Sequence, residues 1–272
     1  MTIGFSPCPN DTFIFYAMVH HRIDTEGLDF QVVMEDVEEL NRRAFREELD
    51  ITKLSFFAFT QLAQPYILLN SGSALGNNCG PLLIAREKNE DWRNNMHNCS
   101  IAIPGRNTTA GFLLKFAIPE AENTSEMLFS EIEHSVLEGK TDAGVIIHEN
   151  RFTYELKGLV KLMDLGEHWE STTGFPIPLG GIVTRRKYPA ELQQKIDRVL
   201  RRSIEYAFSN PSEVMPFVRT NAQEMDESVM KQHIGLYVNE YSIHLGEKGK
   251  SAVRYFFEKA TNGVLQPDSL FV

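Results

Sequence analysis

One histidine in this sequence stands where it could take part in chemistry. Residues 143–147 read Ala-Gly-Val-Ile-Ile, a short apolar run with β-branched residues that predicts a buried parallel strand, and His148 follows it directly. In open α/β sheets the carboxyl ends of the strands border the ligand crevice, so an imidazole there is placed to meet a small molecule. The alternative is a purely structural hydrogen bond from His148 to a neighbouring loop.

A second group of candidates lies in a glycine-containing turn before a helix. Residues 104–111 read Pro-Gly-Arg-Asn-Thr-Thr-Ala-Gly, and the apolar residues that follow have helical spacing. The first amides of a helix donate hydrogen bonds and the helix dipole favours negative charge, so this turn predicts a binding site for a carboxylate or phosphate. Thr108 or Thr109 can also be the helix N-cap. The two roles are compatible, because a capped helix still presents its other amides.

The N-terminal residues supply a third group. Thr2 to Phe5 predicts a short strand, and a polar turn with two prolines follows it before a helix predicted from Phe13 onward. The amides at the start of this helix would face the ligand crevice. We therefore expect Asn10, Asp11 and Thr12 to contact a ligand. Residues of these types are explained equally well as turn and cap residues.

A predicted strand that ends at Ser55 carries two more polar candidates. Lys53 could offset charge on an oxyanion if its ammonium reaches the ligand, whereas most lysines are exposed at the surface. Ser55 stands at the end of its strand, as His148 stands at the end of its own. This weak internal similarity predicts two lobes whose similar strand ends face one cleft. Phe56 begins a predicted helix, where we expect its ring to pack in the core.

Alternating strands and helices position these candidates. Over residues 2–62 the predicted elements alternate as strand and helix, which is typical of a doubly wound α/β layer, and the pattern restarts at Ser100. From Pro189 onward the apolar residues recur at helical spacing. The C-terminal third of the chain is therefore predicted to be helical and to cover the first lobe.

The stretch between the two α/β patterns and the C-terminal helices is less regular. We predict an extended segment at Met127 to Ser130 and an irregular loop over residues 166–174. Phe175 to Gly181 contains paired prolines and paired glycines, which predicts a hinge or crossover. A strand is expected after it, at residues 182–184.

The composition limits the function classes. The chain has 272 residues, enough for two lobes, and 27 Lys and Arg against 37 Asp and Glu give a net charge of -10, which argues against a nucleic-acid partner. Cys8, Cys79 and Cys99 form no C-x-x-C pair, so neither a disulfide framework nor a thiolate zinc site is expected. No apolar run approaches the ~20 residues of a membrane span. Without a recognisable signal peptide, the sequence predicts a cytoplasmic protein.

Several of these motifs together resemble one enzyme family. They are Ser6-Pro7-Cys8-Pro9-Asn10-Asp11-Thr12-Phe13-Ile14-Phe15, Lys53-Leu54-Ser55, Gly105-Arg106-Asn107-Thr108-Thr109-Ala110, His148-Glu149 and Pro176-Ile177-Pro178-Leu179-Gly180-Gly181. The combination is similar to the 1,4-dihydroxy-6-naphthoate synthases, which belong to the futalosine route to menaquinone. The N-terminal turn is the most distinctive of these motifs.

The resemblance implies a fold and a division of the chain. The fold is that of the type II periplasmic binding proteins, an α/β fold of two lobes with a central cleft. Residues 1–92 and 178–272 would form the first, larger lobe. Residues 93–177 would form the second, smaller lobe.

The resemblance also implies an activity. Members of the family are cofactor-free lyases that convert cyclic dehypoxanthinyl futalosine to 1,4-dihydroxy-6-naphthoate and a three-carbon fragment of the sugar. His148 aligns with its proton acceptor, and a neutral imidazole can remove a proton without a metal. Its substrate-binding segments align with Ser55 and the neighbouring Phe56, and with Thr108, Thr109 and Ala110. A substrate carboxylate is expected at Thr108, Thr109 and Ala110.

Two alternatives stay open at this point. The first is a solute-binding protein that captures a small molecule and performs no chemistry, because a fold alone does not define a function. The second is a chorismate dehydratase of the same fold. The missing export signal and the combination of a histidine with an anion site favour an enzyme.

Overall fold

The chain folds into two compact units. A computed structural model describes residues 1–88, 91–222, 226–263 and 269–272. The first unit comprises Met1–Gly76 and Pro178–Val272, and the second comprises Asn77–Ile177. Each unit contains a β-sheet and helices that pack against it, as expected for alternating strands and helices.

The sheet of the first unit is mixed. Its strands are β1 (Thr2–Phe5), β2 (Gln31–Met34), β3 (Ile51–Ser55), β4 (Tyr66–Leu68), β5 (Ala74–Gly76) and β11 (Ile177–Arg185). Their order is β2-β1-β3-β11-β4, and β5 also pairs with β11. Because β1 runs parallel to β2 and β3, the carboxyl ends of these three strands lie at one edge of the sheet. β11 runs antiparallel to β3.

The helices of the first unit bury its sheet and the core around it. They are α1 (Pro9–Val19), α2 (Val37–Phe45), α3 (Phe56–Leu62), α7 (Ala190–Ser209), α8 (Pro211–Asn221), α9 (Glu227–Tyr237), α10 (Glu240–Ile243) and α11 (Gly246–Thr261). Every residue of α1 from Pro9 to Met18 is buried, because α7, α8 and α9 pack around it. On α7, Ile196, Leu200 and Ile204 form the expected apolar stripe. The helical C-terminal third therefore supports the N-terminal turn.

The second unit has a smaller mixed sheet. Its strands are β6 (Leu82–Ala85), β7 (Ile101–Ile103), β8 (Thr124–Glu126), β9 (Ala143–Ile146) and β10 (Val160–Asp164), in the order β10-β6-β9-β7-β8. Its helices are α4 (Thr109–Ala117), α5 (Ile132–Leu137) and α6 (Leu165–Thr173), with short 3-10 turns at Met96–Asn98, Phe129–Glu131, His148–Phe152 and Tyr154–Lys157. β7 is parallel to both β8 and β9, whereas β6 is antiparallel to β9 and β10.

Three local predictions were wrong. Residues 166–174 were expected to form a loop, but they belong largely to α6, because the Asp164 carboxylate accepts hydrogen bonds from the Gly166 and Glu167 amides and caps the helix. The segment expected to be extended at residues 127–130 contains a 3-10 turn instead, and the extended residues come earlier, in β8. α1 begins at Pro9, because proline suits the first turn of a helix.

The crossover stretch forms part of a strand, and β6 belongs to the second unit and not to the first. β11 begins at Ile177, so Pro178, Gly180 and Gly181 are part of a sheet. The chain passes from the second unit to the first between Ile177 and Pro178, within the stretch predicted to be a hinge or crossover. The first unit was expected to extend to residue 92, whereas β6 pairs with β9 and β10 in the second sheet. No helix within the described residues is both long and apolar enough to cross a bilayer.

Candidate functional site

His148 lies just past the end of β9 and begins the 3-10 turn His148–Phe152. Its φ of 58° is in the left-handed region, where histidine is found more often than most residues but at a cost of about 1–2 kcal/mol. The half-buried imidazole packs edge-on against the Phe129 ring, with ring centroids 4.9 Å apart at an interplanar angle of 63°. The ring is thus packed on a strained stretch of backbone.

The residues that follow His148 fix this turn to the rest of the second unit. The Asn150 amide donates a hydrogen bond of 2.6 Å to the Glu133 carboxylate. The Arg151 guanidinium donates to the Gly80 carbonyl and lies 3.5 Å from the Asp164 carboxylate. These contacts stabilise the strained left-handed backbone conformation of His148.

Thr108 caps the helix α4 in the same unit. Its hydroxyl accepts a hydrogen bond of 3.1 Å from the Gly111 amide and donates one of 2.6 Å to the Gly105 carbonyl. The hydroxyl donor of Thr108 is therefore used within the turn. A Cβ on Gly111 would lie 2.9 Å from the Gly105 oxygen, so glycine is needed at residue 111 for this close turn.

Thr109 and Ala110 form the first turn of α4, and both are buried. Amides at this position have no carbonyl four residues earlier within the helix, and they point along the positive end of the helix dipole. Such amides suit an anion, so a carboxylate site at this helix end stays a prediction from the sequence. The first turn of α4 contains no acidic residue.

The sheet of the second unit brings His148 and the start of α4 to the same edge. β7 and β9 are parallel neighbours, with Ile101 opposite Ala143 and Ala102 opposite Gly144. The chain leaves β7 toward α4 and leaves β9 toward His148. Because adjacent strands are only about 4.8 Å apart, the segments that follow them begin side by side.

The first unit has a buried ion pair at the corresponding edge. Lys53 Nζ lies 2.9 Å from Asp11 Oδ1, and the two side chains are 8% and 1% exposed. The other Asp11 oxygen accepts hydrogen bonds from the Ser6 amide and hydroxyl at 3.1 and 2.7 Å. Lys53 is therefore a buried, paired cation and not a surface lysine. β1 and β3 are parallel neighbours and bring these residues together.

Asn10 and Thr12 differ in what they can offer a ligand. The Asn10 side-chain nitrogen donates to Asp11 at 2.8 Å, and its buried Oδ1 atom has no hydrogen-bond partner among the residues that the structure describes. A buried acceptor of this kind is costly unless a ligand donates to it. The Thr12 hydroxyl instead donates a hydrogen bond of 3.0 Å to the carbonyl of Cys8, the N-cap residue of its own helix.

Ser55 is held by a residue that the sequence analysis missed. The Asn41 side-chain oxygen accepts from the Ser55 amide at 3.0 Å, and its nitrogen donates to the Ser55 hydroxyl at 3.2 Å. Asn41 is fully buried on the inner face of α2. A polar residue next to Leu40 on a predicted apolar helix face was the available signal. Phe56 is buried against Phe256, which is a packing role.

One glycine of β11, Gly180, makes room for Lys53. Gly180 pairs with Ser55 across the sheet. A Cβ on Gly180 would lie 2.8 Å from the Leu54 carbonyl oxygen and 3.0 Å from Lys53 Cε. Gly180 therefore lets the lysine side chain pass the neighbouring strand.

The architecture defines the class of protein. The chain superposes with a TM-score of 0.68 on the alkanesulfonate-binding protein SsuA of Xanthomonas axonopodis, covering 98% of this chain and 94% of that one at 10% identity. At that identity the likeness shows the fold alone. A crystal structure of a protein from Archaeoglobus fulgidus has a TM-score of 0.89 at 34% identity, over 96% of this chain and 97% of that one. The predicted periplasmic-binding-protein-like α/β fold is confirmed.

Sequence comparison narrows this class to one family. The family described as menaquinone biosynthesis matches residues 1–262. A protein of Thermus thermophilus is 43% identical over 268 residues (98% of this chain, 96% of that protein), and one of Streptomyces coelicolor is 41% identical over 273 residues (98% and 95%). Both relatives are named 1,4-dihydroxy-6-naphthoate synthase. The chain therefore belongs to the menaquinone biosynthesis family, which confirms the resemblance and the expectation of an enzyme.

The buried ion pair of the first unit makes a prediction about stability. Asp11→Ala should lower the free energy of unfolding by about 3–5 kcal/mol, because it leaves the Lys53 ammonium buried without its counter-ion. Adding Lys53→Met should recover most of this loss, since neither charge then remains buried. Urea denaturation measures both effects.

A surface pair provides the control for that experiment. Arg198 lies 2.8 Å from Glu26, and both side chains are partly exposed. Arg198→Ala should change stability little, because exposed pairs contribute little. Equal losses in Asp11→Ala and Arg198→Ala would contradict the importance of burial.

Proposed function

We propose that this enzyme is a carbon-carbon lyase that converts cyclic dehypoxanthinyl futalosine to 1,4-dihydroxy-6-naphthoate, with His148 as the general base. The names of the Thermus and Streptomyces relatives support the reaction. The single observation that carries the role of His148 is the parallel pairing of β7 with β9, which starts the His148 turn beside the helix end suited to an anion.

The second unit would bind and deprotonate the substrate. The substrate carboxylate would accept hydrogen bonds from the amides of Thr109 and Ala110 at the start of α4, favoured by the helix dipole. Neutral His148 would then remove the proton whose loss starts the fragmentation. Thr108 would act by capping the helix, since its hydroxyl is already bonded within the turn.

The first unit carries polar groups that we propose as substrate-binding residues. An ammonium carries three N–H donors, and Asp11 takes one from Lys53, so the same cation can also stabilise an oxyanion. Asn10 Oδ1 would accept a hydrogen bond from a substrate hydroxyl, and the Ser55 hydroxyl would donate one. Phe56 and Thr12 would shape the site through packing and local hydrogen bonds.

The two alternatives from the sequence analysis differ from this proposal in measurable ways. A solute-binding protein would bind its ligand and leave it unchanged. A chorismate dehydratase would consume chorismate and not the futalosine derivative.

The proposal predicts that His148→Ala separates binding from turnover. We expect this variant to bind cyclic dehypoxanthinyl futalosine about as well as the parent protein, while turnover falls on the order of 10²- to 10⁴-fold, the usual contribution of a general base. Mass detection of the product measures turnover, and calorimetry measures binding.

His134→Ala is the matched control, because His134 is an exposed histidine of the same unit. It should leave both quantities unchanged. A parent protein that binds the compound without converting it would identify a binding protein. Conversion of chorismate alone would identify a dehydratase, and full turnover by His148→Ala would exclude His148 as the base.

The proposal also predicts the direction of the pH dependence. A protonated imidazole has no lone pair to accept a proton, so kcat/KM should fall at low pH, where the base takes up a proton. Initial rates between pH 5 and pH 8 test this. A profile that stays flat over that range is incompatible with a histidine base.

A further inference from the structure

The Glu133 side chain is a buried carboxylate in the second unit, only 3% exposed, on the helix that covers β9. This helix, α5, sits unusually close to the strand. Gly144 in β9 has no side chain, and a Cβ there would lie 2.5 Å from Ile132 Cγ2 and 3.0 Å from Val136 Cγ2. Glu133 is therefore firmly placed relative to the strand that leads to His148.

One oxygen of Glu133 binds both of the 3-10 turns that follow β9. Glu133 Oε2 accepts a hydrogen bond of 2.6 Å from Asn150, in the turn that starts with His148. The same oxygen accepts one of 2.6 Å from Lys157, the last residue of the next turn. A single atom thus ties residues on both turns to α5.

The same helical run also carries the packing partner of the imidazole. Phe129 lies in the 3-10 turn Phe129–Glu131, which continues directly into α5. Its ring packs edge-on against the His148 ring. Phe129 and Glu133 therefore fix the His148 ring and the His148 backbone from one rigid element.

The other oxygen of Glu133 shows that this arrangement is unfavourable for stability. Within the described part of the chain, the buried Oε1 atom has no hydrogen-bond partner. Burying a carboxylate with one oxygen unpaired is unfavourable, and a neutral residue would hold a loop at lower cost. Unfavourable local choices of this kind are expected where a functional group must be positioned.

We propose, building on the role of His148 as the base, that Glu133 is a positioning residue for the reaction. Its carboxylate holds Asn150, and through Asn150 it keeps the strained His148 turn in the geometry that directs the imidazole at the substrate. The Glu133 carboxylate itself does not contact the substrate.

The kinetic test compares two single variants with their combination. Glu133→Ala and Asn150→Ala should each lower kcat on the order of 10- to 100-fold while KM changes little, because the substrate still binds but the base is misplaced. The double variant should lose no more than either single one, since both remove the same contact. Multiplied losses, or a normal kcat in either single variant, would overturn the proposal.

A conservative variant separates the hydrogen bond from the charge. Glu133→Gln keeps an oxygen that can accept a hydrogen bond from Asn150. Its kcat should therefore be much closer to that of the parent enzyme than the kcat of Glu133→Ala is. Lys157→Met removes the second donor without touching the His148 turn and should keep kcat, as should Glu138→Gln at the exposed end of α5. A Lys157→Met enzyme as impaired as Glu133→Ala would contradict the assignment. Should Glu133→Ala fail to fold, the kcat values of Asn150→Ala, Glu133→Gln and Lys157→Met still test the positioning role of Glu133.

A spectroscopic measurement keeps this inference separate from the reaction itself. The His148 ring protons are assigned in an NMR spectrum by their loss in His148→Ala, and the Phe129 ring shifts them. Glu133→Ala and Asn150→Ala should move these signals, whereas Lys157→Met and Glu138→Gln should not. Unmoved signals in Glu133→Ala would refute the positioning role. Absence of turnover in the parent protein would refute only the proposed function.

Discussion

The parallel pairing of β7 with β9 is the constraint on which the proposed site depends. The register sets Ala102 opposite Gly144, so the chain leaves both strands at one edge of the sheet. One exit leads to the start of α4 and the other leads to His148. A reversed strand would send one of the two groups to the opposite edge. In the proposed site, the placement of His148 beside the start of α4 is thus a property of sheet topology before it is a property of any side chain.

Each unit contains a buried carboxylate that holds residues near the ends of its strands. Asp11 and Lys53 neutralise each other in the first unit, and Glu133 holds two donors in the second. Such groups are weak contributors to stability, because removing charge from water offsets most of the attraction. Their value is in fixing polar side chains in one geometry. Surrounding glycines, such as Gly180, are part of the same arrangement because they let the charged side chains fit.

Local patterns in the sequence predicted most strands and helices, but tertiary contacts decided the rest. α6 was missed because its stability comes from the Asp164 cap and from burial of Trp169, neither of which has a strong periodic signal. The state of Lys53 was ambiguous because its partner Asp11 is distant in the sequence. Asn41 was overlooked as an ordinary polar residue of α2. A polar residue on an apolar helix face is a signal that could have found it.

The family match and the geometry support the same account: an imidazole at the end of one strand acts on a molecule whose carboxylate is held after the neighbouring strand. The most direct measurement is a crystal structure with 1,4-dihydroxy-6-naphthoate bound. The account predicts the carboxylate within about 3 Å of the Thr109 or Ala110 amide and the His148 imidazole against the same molecule. A naphthoate whose carboxylate binds away from α4, or an imidazole turned away from it, would contradict the account.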